Sequence, residues 1–304
     1  MRSFPKPRFS VQLGMHIGIT GASGLVGRHL IHLALRRGHE VIAFSRSPKR
    51  GIPGCEMREF SMEIPPDLRG CEAVVHLAGE SVLGVWTAAK KQQIRESRVE
   101  GTRRLAEAMA AMQHPPDVFV SGSAIGIYED GGDRPLLEDA ALGSGFLAET
   151  GRAWEHEAVS ATAGRVVLLR TGIVLAREGG ALPLMARAFR LGLGGRLGDG
   201  SQWMSWIHLD DLARLILFCL ENSDIRGPVN GTAPWPVRNA DFTRELSAKL
   251  RRPAMLPVPA FALRWLGEFS NELLGSKKVL PGVATENGFP FRFPELTKAL
   301  ADLL

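Results

Sequence analysis

Short apolar runs alternate with amphipathic stretches along the first two thirds of the chain. MHIGIT (Met15–Thr20) is apolar and ends in a glycine-rich turn, which predicts a buried strand. From Gly24 to Arg37, residues Leu25, Val26, Leu30, Leu33 and Ala34 fall at helical spacing, and Gly38 stops the helix. Val41–Ser45 reads as the next strand. Ala73–Leu77 and Val118–Ser121 read as two more, separated by the helical stretch Lys90–Met112. A helix over Phe146–Ala161 precedes a further buried strand, Val166–Arg170. Strands alternating with helices of about ten residues or more imply βαβ units. The expected class is therefore α/β, a Rossmann-type doubly wound parallel sheet.

The pattern changes after Arg170. Residues 176–205 are rich in Gly and Arg with weak periodicity, including GLGGRLGDG (Gly192–Gly200). Asp210–Glu221 is a strong helix, Pro228–Asn230 returns to the sheet, and a final amphipathic helix covers Pro294–Leu304. The expected division is a dinucleotide-binding domain over 15–175 plus 207–231. A smaller mixed α/β substrate lobe then takes 176–206 and 232–304. Residues 1–14 carry Arg2, Lys6 and Arg8 without the apolar core of a signal peptide, and read as a disordered tail or an upstream start.

Composition narrows the function classes. The 304 residues are 45% hydrophobic and 23% charged, with a formal charge of +5. The basic residues are interleaved with acids, as in Arg95, Glu96, Arg98 and Glu100, so no nucleic-acid stripe is present. Three cysteines without paired spacing suggest neither a disulfide framework nor a metal knuckle, and a cytoplasmic setting is expected. No HxxxH or HExxH cluster occurs, so no metal site is expected. The longest apolar run, Leu215–Leu220, is too short to span a bilayer.

The turn TGASGLVG (Thr20–Gly27) stands directly after a strand and opens a helix. Gly21 permits the tight turn, Gly24 lets backbone approach a pyrophosphate, and Gly27 lets helix and strand pack closely. Ser23, Gly24, Leu25 and Val26 then present the helix N-terminus to the phosphates. About 20 residues on, an NAD site places an acid to accept from the ribose 2′-hydroxyl. Here the second strand ends Phe44-Ser45-Arg46-Ser47, and Arg46 offers a guanidinium fork for a 2′-phosphate. The reading favours NADP(H) over NAD.

With these residues in place, the chain resembles the extended short-chain dehydrogenase/reductases. Within them it is similar to the atypical branch labelled NAD-dependent epimerase/dehydratase family, nucleoside-diphosphate-sugar epimerase or SulA-like. The resemblance rests on TGASGLVG, HLAGE (His76–Glu80), SRVEGT (Ser97–Thr102), SGSAIGIY (Ser121–Tyr128) and WEHE (Trp154–Glu157). LLRTGIVL (Leu168–Leu175), FRLGLGG (Phe189–Gly195), WIHLDDL (Trp206–Leu212) and NGTAPWPVRN (Asn230–Asn239) continue it. It implies that Leu77, Ala78 and Gly79 line the cofactor, that Ser121 and Ser123 lie beside the nicotinamide, and that Thr171, Gly172 and Ile173 face its carboxamide.

Two departures bear on catalysis. The family's usual Tyr-x-x-x-Lys pair is absent: the single tyrosine is Tyr128, position 132 is Gly132, and no lysine falls between Lys91 and Lys249. Phe146-Leu147-Ala148-Glu149-Thr150 stands where that motif opens a helix. The family's Asn-x-x-Gly-Thr has Arg98 at the asparagine position; it either supplies charge beside the nicotinamide or bridges two helices. Catalytic candidates are therefore Ser123, which orients the substrate oxygen, with Arg98, Tyr128 and Glu80 as charge or proton carriers. For Tyr128 the alternative is packing, and for Glu80 a helix cap or a surface carboxylate. His208, Asp210 and Asp211 read as structural.

On the substrate side, Arg190, Arg196, Trp203 and Trp206 fall where relatives bind the nucleotide of a sugar substrate, although tryptophans at this spacing also build a lobe core. The expected protein is a monomeric or homodimeric NADP(H)-binding oxidoreductase or epimerase-like enzyme. It acts on a small hydroxyl or carbonyl compound, with a nucleotide sugar among the candidates. The alternative is an NADP(H)-binding regulator or sensor that has lost catalysis.

Overall fold

A computed structural model describes residues 14–254 and 257–304. The expectation for the N-terminal tail falls, apart from Gly14, outside the described residues. Seven strands form one sheet: β1 His16–Thr20, β2 Glu40–Ser45, β3 Cys55–Glu59, β4 Ala73–His76, β5 Val118–Ala124, β6 Arg165–Thr171 and β7 Gly227–Gly231. Their spatial order is β7-β6-β5-β4-β1-β2-β3, and every pairing is parallel. This is the doubly wound Rossmann arrangement, whose order reverses between β1 and β4.

Six longer helices follow: α1 Leu25–Arg36, α2 Ala88–Ala110, α3 Phe146–Val159, α4 Ala181–Arg190, α5 Leu209–Glu221 and α6 Asn239–Leu250. Central strands with apolar residues on both sides bury both faces. One face of the sheet packs Ile17, Ile19, Val75 and Val120 against Leu30 and Ala34 of α1 and Leu215 and Leu217 of α5. The other packs Phe44, Val74, Phe119 and Leu168 against Leu105 and Met109 of α2 and Ala158 of α3.

The pattern in the chain locates all of these strands except β3. Its sequence Cys-Glu-Met-Arg-Glu has a polar character that suits an edge strand covered on one side only. The region after Arg170 is also more ordered than its weak periodicity suggested, because α4 buries Leu182, Ala186 and Phe189. Leu182 and Phe189 join Leu175, Trp206, Phe242, Leu246, Leu296 and Leu300 in a separate core. Short strands stitch that region together: Ile173–Leu175 pairs parallel with Trp206–His208, and Trp203–Met204 pairs antiparallel with Val237–Arg238. Among the described residues no helix is long and apolar enough to cross a membrane.

Candidate functional site

The phosphate turn sits at the reversal of strand order, and contact distances explain its glycines. Gly21 has φ +68°, and a Cβ there would lie 2.6 Å from the carbonyl carbon of Leu77 and 2.8 Å from the nitrogen of Ala78. A Cβ on Gly27 would stand 2.3 Å from the Gly21 oxygen, so that glycine fixes the approach of α1 to β1. The α1 N-cap is Gly24, with no side-chain cap. The first-turn N–H groups and the positive end of the helix dipole therefore remain for an anion, with Ser23, Leu25 and Val26 around them.

Beneath the turn, Thr20 Oγ1 and His76 Nδ1 are 2.6 Å apart, and the Ala78 N–H reaches Thr20 Oγ1 at 3.3 Å. This pair ties the exit of β1 to the exit of β4 and sets the Leu77–Gly79 backbone beside the turn. His76 is fully buried; burial, reinforced by the charge of Arg98, holds its imidazole down at about 3, so it is neutral. At the end of β2, Ser45 Oγ accepts from the Ser47 N–H at 3.1 Å. Arg46 beside it is exposed, and no carboxylate pairs with it among the described residues.

Arg98 takes the bridging arrangement. Its Nη1 donates to the carbonyls of Glu80 (2.9 Å) and Ile94 (3.1 Å), and its guanidinium lies 5.2 Å from the Trp154 ring centroid. It thus clamps the Gly79–Glu80 loop between α2 and α3, and burial pulls it down to about 10, still charged at neutral pH. Glu80 is no free base: Lys90 Nζ donates to its carboxylate at 2.5 Å, and this bond holds its carboxyl below the usual range. Its N–H donates to Ser97 Oγ at 2.9 Å.

The main polar assembly lies at the ends of β5, β6 and β7. Ser123 Oγ donates to Glu155 Oε1 at 2.6 Å. Arg170 grips the same carboxylate with two bonds, Nε to Oε1 at 2.8 Å and Nη2 to Oε2 at 2.7 Å. Arg170 Nη1 also donates to the Tyr128 hydroxyl (2.8 Å) and to the Glu138 carbonyl (2.9 Å). The Tyr128 hydroxyl donates in turn to Asn230 Oδ1 at 2.7 Å. Tyr128 is therefore bonded on both sides and only 1% exposed, and burial pushes its hydroxyl up. This corrects the expectation that it carries a substrate proton. Ser121 is fully buried with its hydroxyl turned to the Gly122 carbonyl at 3.2 Å, and Ser123, two residues on, is 5% exposed.

Glu155 and Arg170 escaped the sequence reading although both lie in motifs it isolated. A signal was available, because Arg170 is the one charge within the apolar strand RVVLLRT after its first residue. A buried charge at a strand end requires a partner, and Glu155 lies on the buried face of α3 with Trp154 and Ala158.

Thr171–Ile173 connects three parts: the Gly172 N–H donates to the Gly231 carbonyl at 3.0 Å and the Ile173 N–H to the Ser205 carbonyl at 2.9 Å. The expected substrate residues separate. Trp206 is fully buried in the lobe core and its Nε1–H donates to the Trp235 carbonyl, which corrects its assignment to a binding surface. Trp203 has Arg238 at 4.3 Å and Lys278 at 4.6 Å from its ring centroid, with Nε1–H donating to Asp133 at 2.9 Å. Its ring is occupied by the protein's own cations. Arg190 and Arg196 are exposed. Arg196 lines a concavity of about 420 Å³ with Thr243, Arg244 and Ser247, and a larger one of about 610 Å³ lies beside Asp133, Ser201 and Arg238. Neither touches the phosphate turn. His208 Nδ1 accepts from the Asp210 N–H at 3.0 Å and caps α5, the structural role expected of it.

Comparison with known proteins agrees with this fold. A family model described as the NAD dependent epimerase/dehydratase family matches residues 17–230, and one described as a domain of unknown function (DUF1731) matches residues 258–303. The Arabidopsis thaliana protein "Epimerase family protein SDR39U1 homolog, chloroplastic" is 37% identical over 324 residues, covering 100% of this chain and 93% of that one. The crystal structure of human epimerase family protein SDR39U1 (isoform 2) with NADPH superposes with a TM-score of 0.86 at 32% identity, covering 95% of this chain and 99% of that one. A nucleoside-diphosphate sugar epimerase from Corynebacterium glutamicum gives a TM-score of 0.78 at 36% identity, covering 95% of this chain and 57% of that one.

Proposed function

The chain belongs to the NAD dependent epimerase/dehydratase family, and on that premise we propose that it binds NADP(H) and serves hydride chemistry on a hydroxyl or carbonyl substrate. One observation carries the cofactor choice: an exposed arginine, Arg46, stands without a carboxylate partner where an NAD site places an acid. The relative crystallised with NADPH supports the same reading. In this reading the first turn of α1 holds the pyrophosphate, Arg46 the 2′-phosphate, Leu77–Gly79 the adenosine side, and Thr171–Ile173 the carboxamide. Such a cofactor supplies a hydride donor or acceptor. The chain's own residues bind and orient it, and Ser123 holds the substrate oxygen. The division into a cofactor domain and a substrate lobe, a small-molecule substrate with nucleotide sugars among the candidates, and a cytoplasmic setting belong to the same proposal.

A second reading, a cofactor-binding sensor without turnover, draws on Phe146 and Thr150 at the Tyr and Lys positions and on the fully bonded Tyr128 hydroxyl. Titration with NADPH and NADH, followed by fluorescence, tests the cofactor claim. Arg46→Ala is expected to weaken NADPH binding by about ten- to a hundredfold, the worth of one to two charge-assisted hydrogen bonds, and to leave NADH unchanged. Equal affinity of the native protein for both dinucleotides overturns the assignment. Single-turnover reduction of bound NADP+ across a hydroxyl panel, together with oxidation of bound NADPH across a carbonyl panel, separates enzyme from sensor.

A further inference from the structure

We propose that Glu155 is a positioning residue that fixes the Ser123 hydroxyl as a hydrogen-bond acceptor, so that the group received at the end of β5 is a ligand hydroxyl and not a carbonyl. The inference rests on the functional reading above and deepens it to a substrate class.

A serine hydroxyl has one proton and two lone pairs. The Ser123 proton is committed to Glu155 Oε1 at 2.6 Å, within the range of a charge-assisted O–H···O⁻ bond. The reverse assignment, a protonated Glu155 donating to Ser123, conflicts with the two-bond grip of Arg170 on both carboxylate oxygens. No described donor reaches Ser123 Oγ, so its lone pairs remain free. A carbonyl set against them would bring two acceptors together, whereas a hydroxyl donates into them.

The charged and titratable groups around Ser123 come from each neighbouring element. Glu155 belongs to α3, Arg170 to β6 and Tyr128 to the segment after β5. Arg98 of α2 lies over Trp154, and His76 of β4 is neutral. Of these only Glu155 bonds to Ser123 among the described residues. Arg170 acts through it, and Tyr128 and Asn230 hold Arg170 from behind.

The test needs no substrate. In a Cys55→Ser background, Ser123→Cys places a thiol at the β5 end; Ser123 and Cys71 are each 5% exposed and Cys219 is fully buried, so labelling is read peptide by peptide to tell the three thiols apart. Its modification by methyl methanethiosulfonate is followed against pH by mass spectrometry, with and without Glu155→Gln. The adjacent carboxylate is expected to hold the thiol midpoint above the ordinary value of about 8.5, and Glu155→Gln to lower it by about one pH unit or more. Should Glu155→Gln fail to fold, Glu155→Gln with Arg170→Met removes both charges and is expected to lower the midpoint by a smaller step. An unmoved midpoint overturns the proposal. So does a thiol that reacts only in urea, because Ser123 would then be closed to any ligand. NADPH titration of the native protein is separate: its failure removes the functional reading, while thiol–carboxylate coupling reports on this inference alone.

Discussion

Arg170→Met gives the sharpest test of the strand-end assembly. Arg170 donates four hydrogen bonds, two to Glu155 and one each to Tyr128 and the Glu138 carbonyl. Both members of the ion pair are at most 10% exposed at the side chain. Methionine fills similar volume but leaves the Glu155 carboxylate buried with Ser123 as its remaining partner. Breaking a buried pair from one side costs about 3–5 kcal/mol, chiefly because the abandoned charge stays desolvated. Glu155→Gln abandons Arg170 instead and is expected to cost a similar amount. The double variant Glu155→Gln, Arg170→Met strands no charge and is expected to cost only about 1–2 kcal/mol. The cycle therefore predicts strong non-additivity, with the double variant more stable than either single one. Urea unfolding of the four proteins, followed by tryptophan fluorescence in one buffer, measures it. Single costs under about 1 kcal/mol that simply add would refute the claim that a desolvated pair organises this edge.

Three further outcomes follow from other contacts. Gly27→Ala puts a methyl 2.3 Å from the Gly21 oxygen, backbone against backbone; it is expected to cost about 1–3 kcal/mol and to abolish NADPH binding at concentrations that saturate the native protein, as a titration will show. Trp206→Ala removes a fully buried ring and is expected to cost about 3–5 kcal/mol in urea melts, whereas Arg196→Ala at the exposed rim changes stability by less than about 0.5 kcal/mol. His76 is held at about 3 in the folded chain by burial and Arg98, against about 6.5 unfolded; as pH falls from 6.5 toward 3 the unfolded state binds the extra proton, so stability is lost across that window. His76→Gln is expected to reduce the slope of stability against pH by about one proton near pH 5, read from urea melts at several pH values; an unchanged slope contradicts a neutral buried imidazole.

Much of the fold is legible because periodicity and burial coincide. β1, β2, β4, β5 and β6 are apolar runs buried on both faces, and α1 and α5 carry clear amphipathic stripes. β3 was hidden because an edge strand needs only one apolar side, and Cys-Glu-Met-Arg-Glu offers little more. α4 was hidden by its arginines, which are exposed while Leu182 and Phe189 face the lobe core. The phosphate turn was legible because glycine spacing, strand and helix coincide within a few residues. The strand-end assembly was not. Ser123, Tyr128, Glu155, Arg170 and Asn230 are linked by hydrogen bonds that span up to 102 residues, and local pattern does not record which buried charges meet. Trp206 misled for the same reason: its spacing is shared by a binding platform and a core residue, and only the fold chooses.

The position of charge at the strand ends decides how the missing Tyr–Lys pair should be read. In the resembled families that pair carries a cation into the cofactor cleft, where it acts on an acidic hydroxyl. Here the cation at the same edge, Arg170, is turned inward and spent on a carboxylate and a tyrosine. Tyr128 moves away from acidity as burial raises its hydroxyl, while Ser123 gains a carboxylate partner. A hydroxyl beside a carboxylate is a better acceptor and a poorer acid than one beside a lysine. Such an edge suits a ligand that arrives with its own proton. In the proposed reading the β5 end offers its ligand an acceptor, and substitution at Glu155 changes that offer without touching the phosphate turn.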